Sequence, residues 1–600
     1  MHISKNKVIT IIAICLLVAA CALVYFWRQK TNDLAGEYFN DQQIAEYVAR
    51  MTLPEKIGQM VLVDKNVVSP TDVKQKVIGG VLSGGGGNPK DNTPDNWKKM
   101  VEEYQSAALE SKLEIPILYG VDAVHGNGNV KEAVIFPHNI GLGAAHNSAL
   151  VEAIGTITGD EIRATGANWN FAPVLSLPGD LRWGRVYECY GDDAKLVSEL
   201  GVSYIRGLQK TGVLATPKHF IGEGAEDWNT SKDYNLDQGD ISLSEAALEK
   251  AYLEPFAAAL RAGAMSIMVS RSSLNGEKMS GNRYLLTTLL KEKLGFRGFL
   301  VSDWGAVDQI SGDYYKDIVT SVNAGMDMVM LPADYDTFIS NITSAVSNGD
   351  IPQSRIDDAV TRIIRAKASI GLFNGNSKDR TTSDVGSSDH RTVARQAVRE
   401  SLVLLKNNRA LPLKNPKTIL IVGRAADDIG MQSGGWTIEW QGGHGETTPG
   451  TSILAAFKNE FKESKIIYDP LANQKIKEKA DIGIVVVGEQ PYAEGKGDRE
   501  QLTLSLEDEA RIVSARRNSK KVILLIIAGR PLIIEKSLQK VDATVMAWLP
   551  GSEGEGITDV ISGTYNFKGK LPLDWPRTMK QIEAKEKSNP LFNRGFGLSY

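Results

Sequence analysis

Between residues 44 and 370 the chain alternates short apolar runs with longer amphipathic stretches. The short runs, at 80–82, 117–121, 170–174, 213–216, 266–270, 299–302 and 328–331, are too brief for helices and suit buried strands. Stretches such as 148–163, 243–262 and 356–368 carry helical periodicity between them. Strand and helix alternating at this spacing predict a parallel sheet with crossover helices. Seven or eight such units in roughly 320 residues predict a (β/α)8-like, TIM-type barrel, with a doubly wound open sheet as the alternative. The composition then turns polar after Phe373, which predicts a linker over 374–404. Apolar runs return at 418–422, 465–468, 482–487, 521–528 and 543–548. The run at 482–487 is apolar on both alternating faces, as a buried parallel strand requires. Residues 405–600 therefore read as a second α/β domain, a sandwich of five or six strands with covering helices.

The N-terminus changes the picture of where the chain works. Residues 8–27 carry no charge and lie between Lys5, Lys7 and Arg28, Lys30. As a helix they reach about 30 Å, enough to cross a bilayer. Val18-Ala-Ala-Cys21 resembles a bacterial lipobox, but the apolar run continues past Cys21, which favours an uncleaved anchor over lipidation or cleavage. Residues 1–30 are thus a signal or membrane anchor, and each of these readings exports the body, 31–373 and beyond, to a periplasmic or extracellular face. A net charge of −4 over 600 residues offers no basic surface for nucleic acid. Of three cysteines only Cys189 lies outside the apolar segment, which leaves no disulfide framework and no cysteine-based zinc site in the body.

Polar residues recur just beyond the predicted strands. Asp122 and His125 follow 117–121; Arg182, Arg185 and Glu188 follow 170–174; Lys218 and His219 follow 213–216; Asp303 and Trp304 follow 299–302. Singly, each has an ordinary account: a helix cap, a surface ion pair, a solvated loop. Together they occupy the strand ends where a barrel assembles its active site. A carboxylate, cations and aromatic faces suit a polyhydroxylated, uncharged substrate. Retaining glycoside hydrolysis needs two carboxyl groups about 5–5.5 Å apart. Asp303 is the candidate nucleophile, and the first half of the chain does not single out the second carboxyl, since Glu188 and Glu223 both lie in contexts that read as structural.

The motifs Tyr119-Gly-Val-Asp-Ala-Val-His-Gly, Leu181-Arg-Trp-Gly-Arg, Lys218-His-Phe-Ile-Gly and Gly298-Phe-Leu-Val-Ser-Asp-Trp, in this order, resemble glycoside hydrolase family 3. So do Gly434-Gly-Trp-Thr-Ile-Glu-Trp-Gln and Trp548-Leu-Pro-Gly-Ser-Glu-Gly, and the likeness, nearest to exo-acting β-glucan glucohydrolases, runs from about residue 40 to 600. The resemblance implies a barrel and an α/β sandwich with the pocket between them, and no cofactor or metal. It carries the nucleophile onto Asp303 and the acid/base onto Glu494, in Pro491-Tyr-Ala-Glu-Gly-Lys-Gly-Asp498, with Glu489 as the fallback. Asp122, Arg185, Lys218 and His219 would hold the terminal glucose, and Trp304 and Trp440 would clamp the next sugar. The chain departs from the pattern at Arg271, where relatives have an aromatic residue, and at Glu223 and Gln309, where they have Asp and Arg. Arg271 is a further substrate-binding candidate, a cation set near Asp303 that either depresses its pKa or meets an acidic substituent. The activity implied is that of a retaining β-glucosidase or β-glucan exohydrolase acting from non-reducing ends. The alternatives are a β-xylosidase or β-N-acetylglucosaminidase on the same scaffold, or a noncatalytic carbohydrate sensor. Loop 221–228 lacks the histidine that the N-acetylglucosaminidases often use as acid/base.

Overall fold

A computed structural model describes residues 40–374, 380–474 and 476–600. The apolar segment at 8–27 and Cys21 lie outside the described residues; within them, no helix is long and apolar enough to cross a membrane. In chain order the first domain carries β1 (Val61–Asp64), β2 (Gly80–Ser83), β3 (Leu118–Val121), β4 (Trp169–Asn170), β5 (Leu214–Ala215), β6 (Asp240–Ile241), β7 (Ser266–Val269), β8 (Ser273–Leu274), β9 (Glu277–Lys278), β10 (Phe299–Ser302) and β11 (Val329–Leu331). Six of these form a parallel sheet in the order β11-β1-β2-β3-β4-β5, and β7 pairs in parallel with β10. Backbone bonds extend both ends of that sheet. Phe220 N donates to Met268 O (2.8 Å) beside β7, and Ser302 N at the end of β10 donates to Met328 O (3.0 Å) just ahead of β11.

The strands hold together through side chains that point into one apolar interior. Phe299, Leu300 and Val301 of β10 are fully buried. The Trp169 ring meets Phe171 and Phe299 edge-on, at centroid distances of 4.9 and 5.5 Å, a geometry that aligns ring edges with π faces. The expected strands recur within a few residues, and β1 is an addition to them. Its Val-Leu-Val run comes one residue after the helix Leu53–Gln59, with no Gly or Pro between to mark the change of period.

The second domain contains β12 (Val403–Asn407), β13 (Thr418–Val422), β14 (Lys465–Asp469), β15 (Ala480–Gly488), β16 (Ser519–Ile527) and β17 (Ala543–Trp548). They form one sheet, β12-β17-β16-β15-β13-β14, parallel except for the antiparallel edge β12. The molecule is a two-domain α/β fold built on parallel sheets.

The polar segment expected as a linker carries structure of its own. Ser387 caps a helix over Ser388–Ser401, with its side chain accepting from His390 N. Ala394 and Ala397 of that helix join the first hydrophobic core and Val398 the second. On its other side Arg395 and Arg399 converge on Asp559, with Arg395 Nη2 2.6 Å and Arg399 Nε 2.6 Å from its carboxylate. Burial works against the Asp559 charge, but the two arginines outweigh it and hold the carboxyl below its ordinary range. Its stabilising effect is therefore full above the unfolded value of about 3.9 and is lost as pH falls through the lower folded value. Asp559→Ala strands two cations on the interdomain helix and is expected to reduce stability by roughly 2–3 kcal/mol, read as a lower urea midpoint at pH 7. The deficit relative to wild type should shrink as pH falls below the ordinary carboxylate range.

Candidate active site

Each candidate from the first domain leaves a strand end on a short polar loop. Asp122 follows β3, Lys218 and His219 follow β5, Arg271 follows β7, and Asp303 and Trp304 follow β10. Arg185 begins the single turn Val186–Glu188 in the loop after β4. These residues meet in one place. Lys218 Nζ lies 3.2 Å from Asp122 Oδ1. His219 Nδ1 is 2.5 Å from Glu223 Oε2, and its Nε2 faces Asp303 Oδ2 at 3.7 Å. Arg185 forks onto Glu188 through Nε (2.9 Å) and Nη2 (3.0 Å), while its Nη1 reaches Glu494 Oε1 of the second domain at 3.3 Å. Glu188 is thus a partner of the site, set three residues from Arg185 on the same turn.

The electrostatics follow from burial. Desolvation pushes the Glu494 carboxyl up to about 8; Arg185 opposes this, while Asp237, Asp303 and Glu188 add to it. Burial also works against the Arg185 charge, but Glu188, Glu223, Glu494 and Asp237 together hold its pKa well above the ordinary value. Asp122 is raised by burial against the pull of Lys218. Burial, reinforced by Arg185, drives His219 well below 6.5, so the ring is neutral at pH 7. Glu489, the fallback acid, has both oxygens engaged. Oε1 takes Arg530 Nε (3.0 Å) and Nη2 (2.9 Å), and Oε2 takes Tyr492 OH (2.8 Å).

Glu494 is held by a reciprocal interdomain clasp. Asp498 of the second domain accepts backbone N–H groups of the first: Gly184 (2.8 Å), Leu236 (2.7 Å) and Asp237 (3.0 Å). In return Asp237 accepts Gly495 N (3.0 Å) and also Trp183 Nε1 (3.1 Å). Arg530 ties down the same loops, reaching Arg182 O (3.0 Å), Trp183 O (2.9 Å) and Gly497 O (2.6 Å). The approach is so close that a Cβ at Gly184 would lie 2.0 Å from Glu494 O. Glu494 itself adopts a left-handed φ of 53°, a conformation that costs a non-glycine residue about 1–2 kcal/mol. The surrounding contacts hold it there.

Trp304 remains 37% exposed beside Asp303. Trp440 is half-buried, with its backbone against the loop after β2, where a Cβ at Gly85 would come within 2.6 Å of its Cα. His125, although it follows β3, has a different placement. It stacks on His138 at 3.6 Å and faces Thr437 Oγ1 at 3.1 Å, within the interdomain contact. Asp237 carries no local signal in the sequence, since the Gly495 N–H that it accepts lies 258 positions away; Asp498 closes the motif around Glu494, but its role as an acceptor for main chain of the first domain shows only in the fold.

Comparisons with known proteins converge on this architecture. Residues 52–366 match the glycosyl hydrolase family 3 N terminal domain and residues 402–600 match the family 3 C-terminal domain. The chain is 32% identical to a lysosomal beta glucosidase of Dictyostelium discoideum, over 93% of this chain and 76% of that protein. It is 28% identical to a periplasmic beta-glucosidase of Salmonella typhimurium, over 93% of this chain and 80% of that protein. The crystal structure of an exo-1,3/1,4-beta-glucanase mutant from a Pseudoalteromonas species superposes with a TM-score of 0.88 at 36% identity, covering 93% of this chain and 95% of that one. In Asp498→Ala three main-chain donors lose their acceptor and the loop that carries Glu494 loses that hold, with Asp303, Glu494 and Arg185 themselves unaltered. Turnover of an aryl β-glycoside is expected to drop at least about tenfold, with far-UV circular dichroism unchanged.

Proposed function

The chain belongs to glycosyl hydrolase family 3, and we propose that it is a retaining, exo-acting β-glucosidase or β-glucan exohydrolase. It releases glucose from the non-reducing ends of β-glucosides. The observation that carries this reading is the buried pairing of Arg185 with Glu494, which sets a carboxyl raised to about 8 beside the strand-end carboxylate Asp303. The names of the relatives, β-glucosidases and an exo-β-glucanase, support the substrate class.

In this mechanism Asp303 attacks the anomeric carbon while Glu494 protonates the departing oxygen. Arg185 bonds Glu494 Oε1, which leaves Oε2 free to carry the proton. In the second step Glu494 takes a proton from water, which displaces Asp303 and gives glucose with retained configuration. Asp122, Lys218, Arg185 and His219 bind hydroxyls of the terminal sugar, Arg271 borders the same pocket, and Trp304 and Trp440 flank the following sugar. No cofactor or metal enters this scheme.

The same reading takes β1–β5, β7, β10 and β11 as a (β/α)8-like barrel over 31–373, joined through 374–404 to the sandwich domain at 405–600. It also places the body outside the cytoplasm, tethered through residues 8–27 or a lipid on Cys21; the periplasmic and lysosomal relatives support export.

Substitutions and a pH profile test the roles. Asp303→Ala is expected to reduce kcat on aryl β-glucosides by about three orders of magnitude or more, and near-wild-type turnover would remove it as nucleophile. For Glu494→Ala, azide should restore turnover of substrates with good leaving groups. The acid must be protonated in the first step, so wild-type activity should persist through neutral pH and decline as pH rises through about 8. Asp237→Asn removes one of the charges that raise Glu494, and it should move that decline to lower pH. An aryl β-xyloside run in parallel reports the sugar preference.

A further inference from the structure

Arg271 enters the active-site wall at the end of β7 with a guanidinium that makes no hydrogen bond and no ion pair among the described residues; its Nε is buried and its remaining nitrogens are open. Lys278, on β9, lies beside it and donates from Nζ to the Arg271 carbonyl at 2.7 Å. Among the described residues it too lacks a carboxylate within ion-pair distance. Burial pushes the Lys278 amine down, and Arg271 pushes it further, against the more distant Asp240 and Asp233.

Nearby carboxylates are committed elsewhere. Glu223 Oε2 takes His219 Nδ1 and Ser176 Oγ (3.0 Å). Glu226 takes Ser272 Oγ (2.6 Å) and Gly224 N (2.7 Å). Asp240 takes Gly276 N (2.8 Å). Two mutually repelling cations therefore share a partly desolvated corner with no counter-ion in contact among the described residues. That corner borders the reacting groups. Tyr234, whose hydroxyl senses both Arg271 and Glu494, lies where a Cβ on Gly495 would come within 2.1 Å of its ring.

A sugar hydroxyl could satisfy the buried Nε, but it would leave both charges unmatched. A carboxylate or an oxyanion ester fits the planar fork of Arg271 and is also attracted by the Lys278 ammonium. We infer that Arg271 and Lys278 form a receptor for an anionic group carried by the substrate near the bond that is cut. This rests on the glycosidase reading and extends its substrates to acidic glycosides.

The test uses the full chain and three chromogenic substrates. They are 4-nitrophenyl β-glucoside, 4-nitrophenyl β-glucuronide with its carboxylate on the released sugar, and 3-carboxy-4-nitrophenyl β-glucoside with its carboxylate on the departing group. At least one acidic substrate is expected to exceed the neutral one about tenfold in kcat/KM, chiefly through KM. That ratio should collapse towards one in Arg271→Gln, fall in Lys278→Gln, and shrink as NaCl rises from about 20 to about 500 mM. A wild-type ratio at or below one for both acidic substrates overturns the inference and leaves the β-glucosidase intact, as does a ratio that neither substitution changes. Hydrolysis of none of the three removes the glycosidase reading itself. Calorimetric titration then decides the receptor separately, with glucuronate against glucose for the released sugar and 3-carboxy-4-nitrophenol against 4-nitrophenol for the departing group: tighter binding of either carboxylate that depends on Arg271 supports it, and tighter binding of neither rejects it.

Discussion

A guanidinium taken out of water must find acceptors for its N–H groups, and Arg185 finds them in two domains. Its fork is filled by Glu188 from its own turn, and its remaining Nη1 is met by Glu494 across the interface. Glu188 supplies the counter-charge, and a buried N–H left without an acceptor costs about 1–3 kcal/mol, so Nη1 needs the second domain at this spot before any substrate arrives. Other interdomain contacts surround that bond. Asp498 gathers backbone donors from the first domain, Asp237 returns the bond to Gly495, and Arg530 closes the loop ends. The low-dielectric surroundings that make the pairing necessary also raise the Glu494 carboxyl to about 8. Structural and chemical demands on this residue have one origin.

What could be read from the sequence depended on whether a signal was local. β10 and β13 begin and end at the expected residues because polar or glycine residues bound each apolar run, and β17 does so between Asp542 and the Leu549-Pro550 pair. β12, like β1, joins a helix with almost no intervening loop; Val403 comes two residues after Ser401, and period alone does not reveal the switch. The strand-end residues Asp122, Lys218, His219 and Asp303 were legible because a parallel sheet sends its chemistry to one edge. Glu494 was not legible on physical grounds, since a glutamate in a glycine-rich loop ordinarily reads as solvated; only the motif around it pointed to a role. Asp237 was not found at all, because its meaning lies in a bond to Gly495, 258 positions away.

The interdomain helix Ser388–Ser401 shows how a polar stretch can be structural. Its small Ala394 and Ala397 let it lie close against the first core, and Val398 reaches the second. Its arginines are drawn to the buried Asp559. The segment acts as a splint between the two cores, which is consistent with the tight tolerances at Gly184 and Glu494.

The clasp around the acid loop recognises main chain. Asp498 accepts the N–H groups of Gly184, Leu236 and Asp237, and Asp237 accepts that of Gly495. Peptide donors are the same whatever side chain they bear, so only the glycines are fixed by space. The alignment of the two halves is therefore uncoupled from the identity of most residues that line the pocket. Such a scaffold can change pocket side chains by single substitutions and keep Glu494 in register. Diversification of substrate preference is then decoupled from loss of the chemical step.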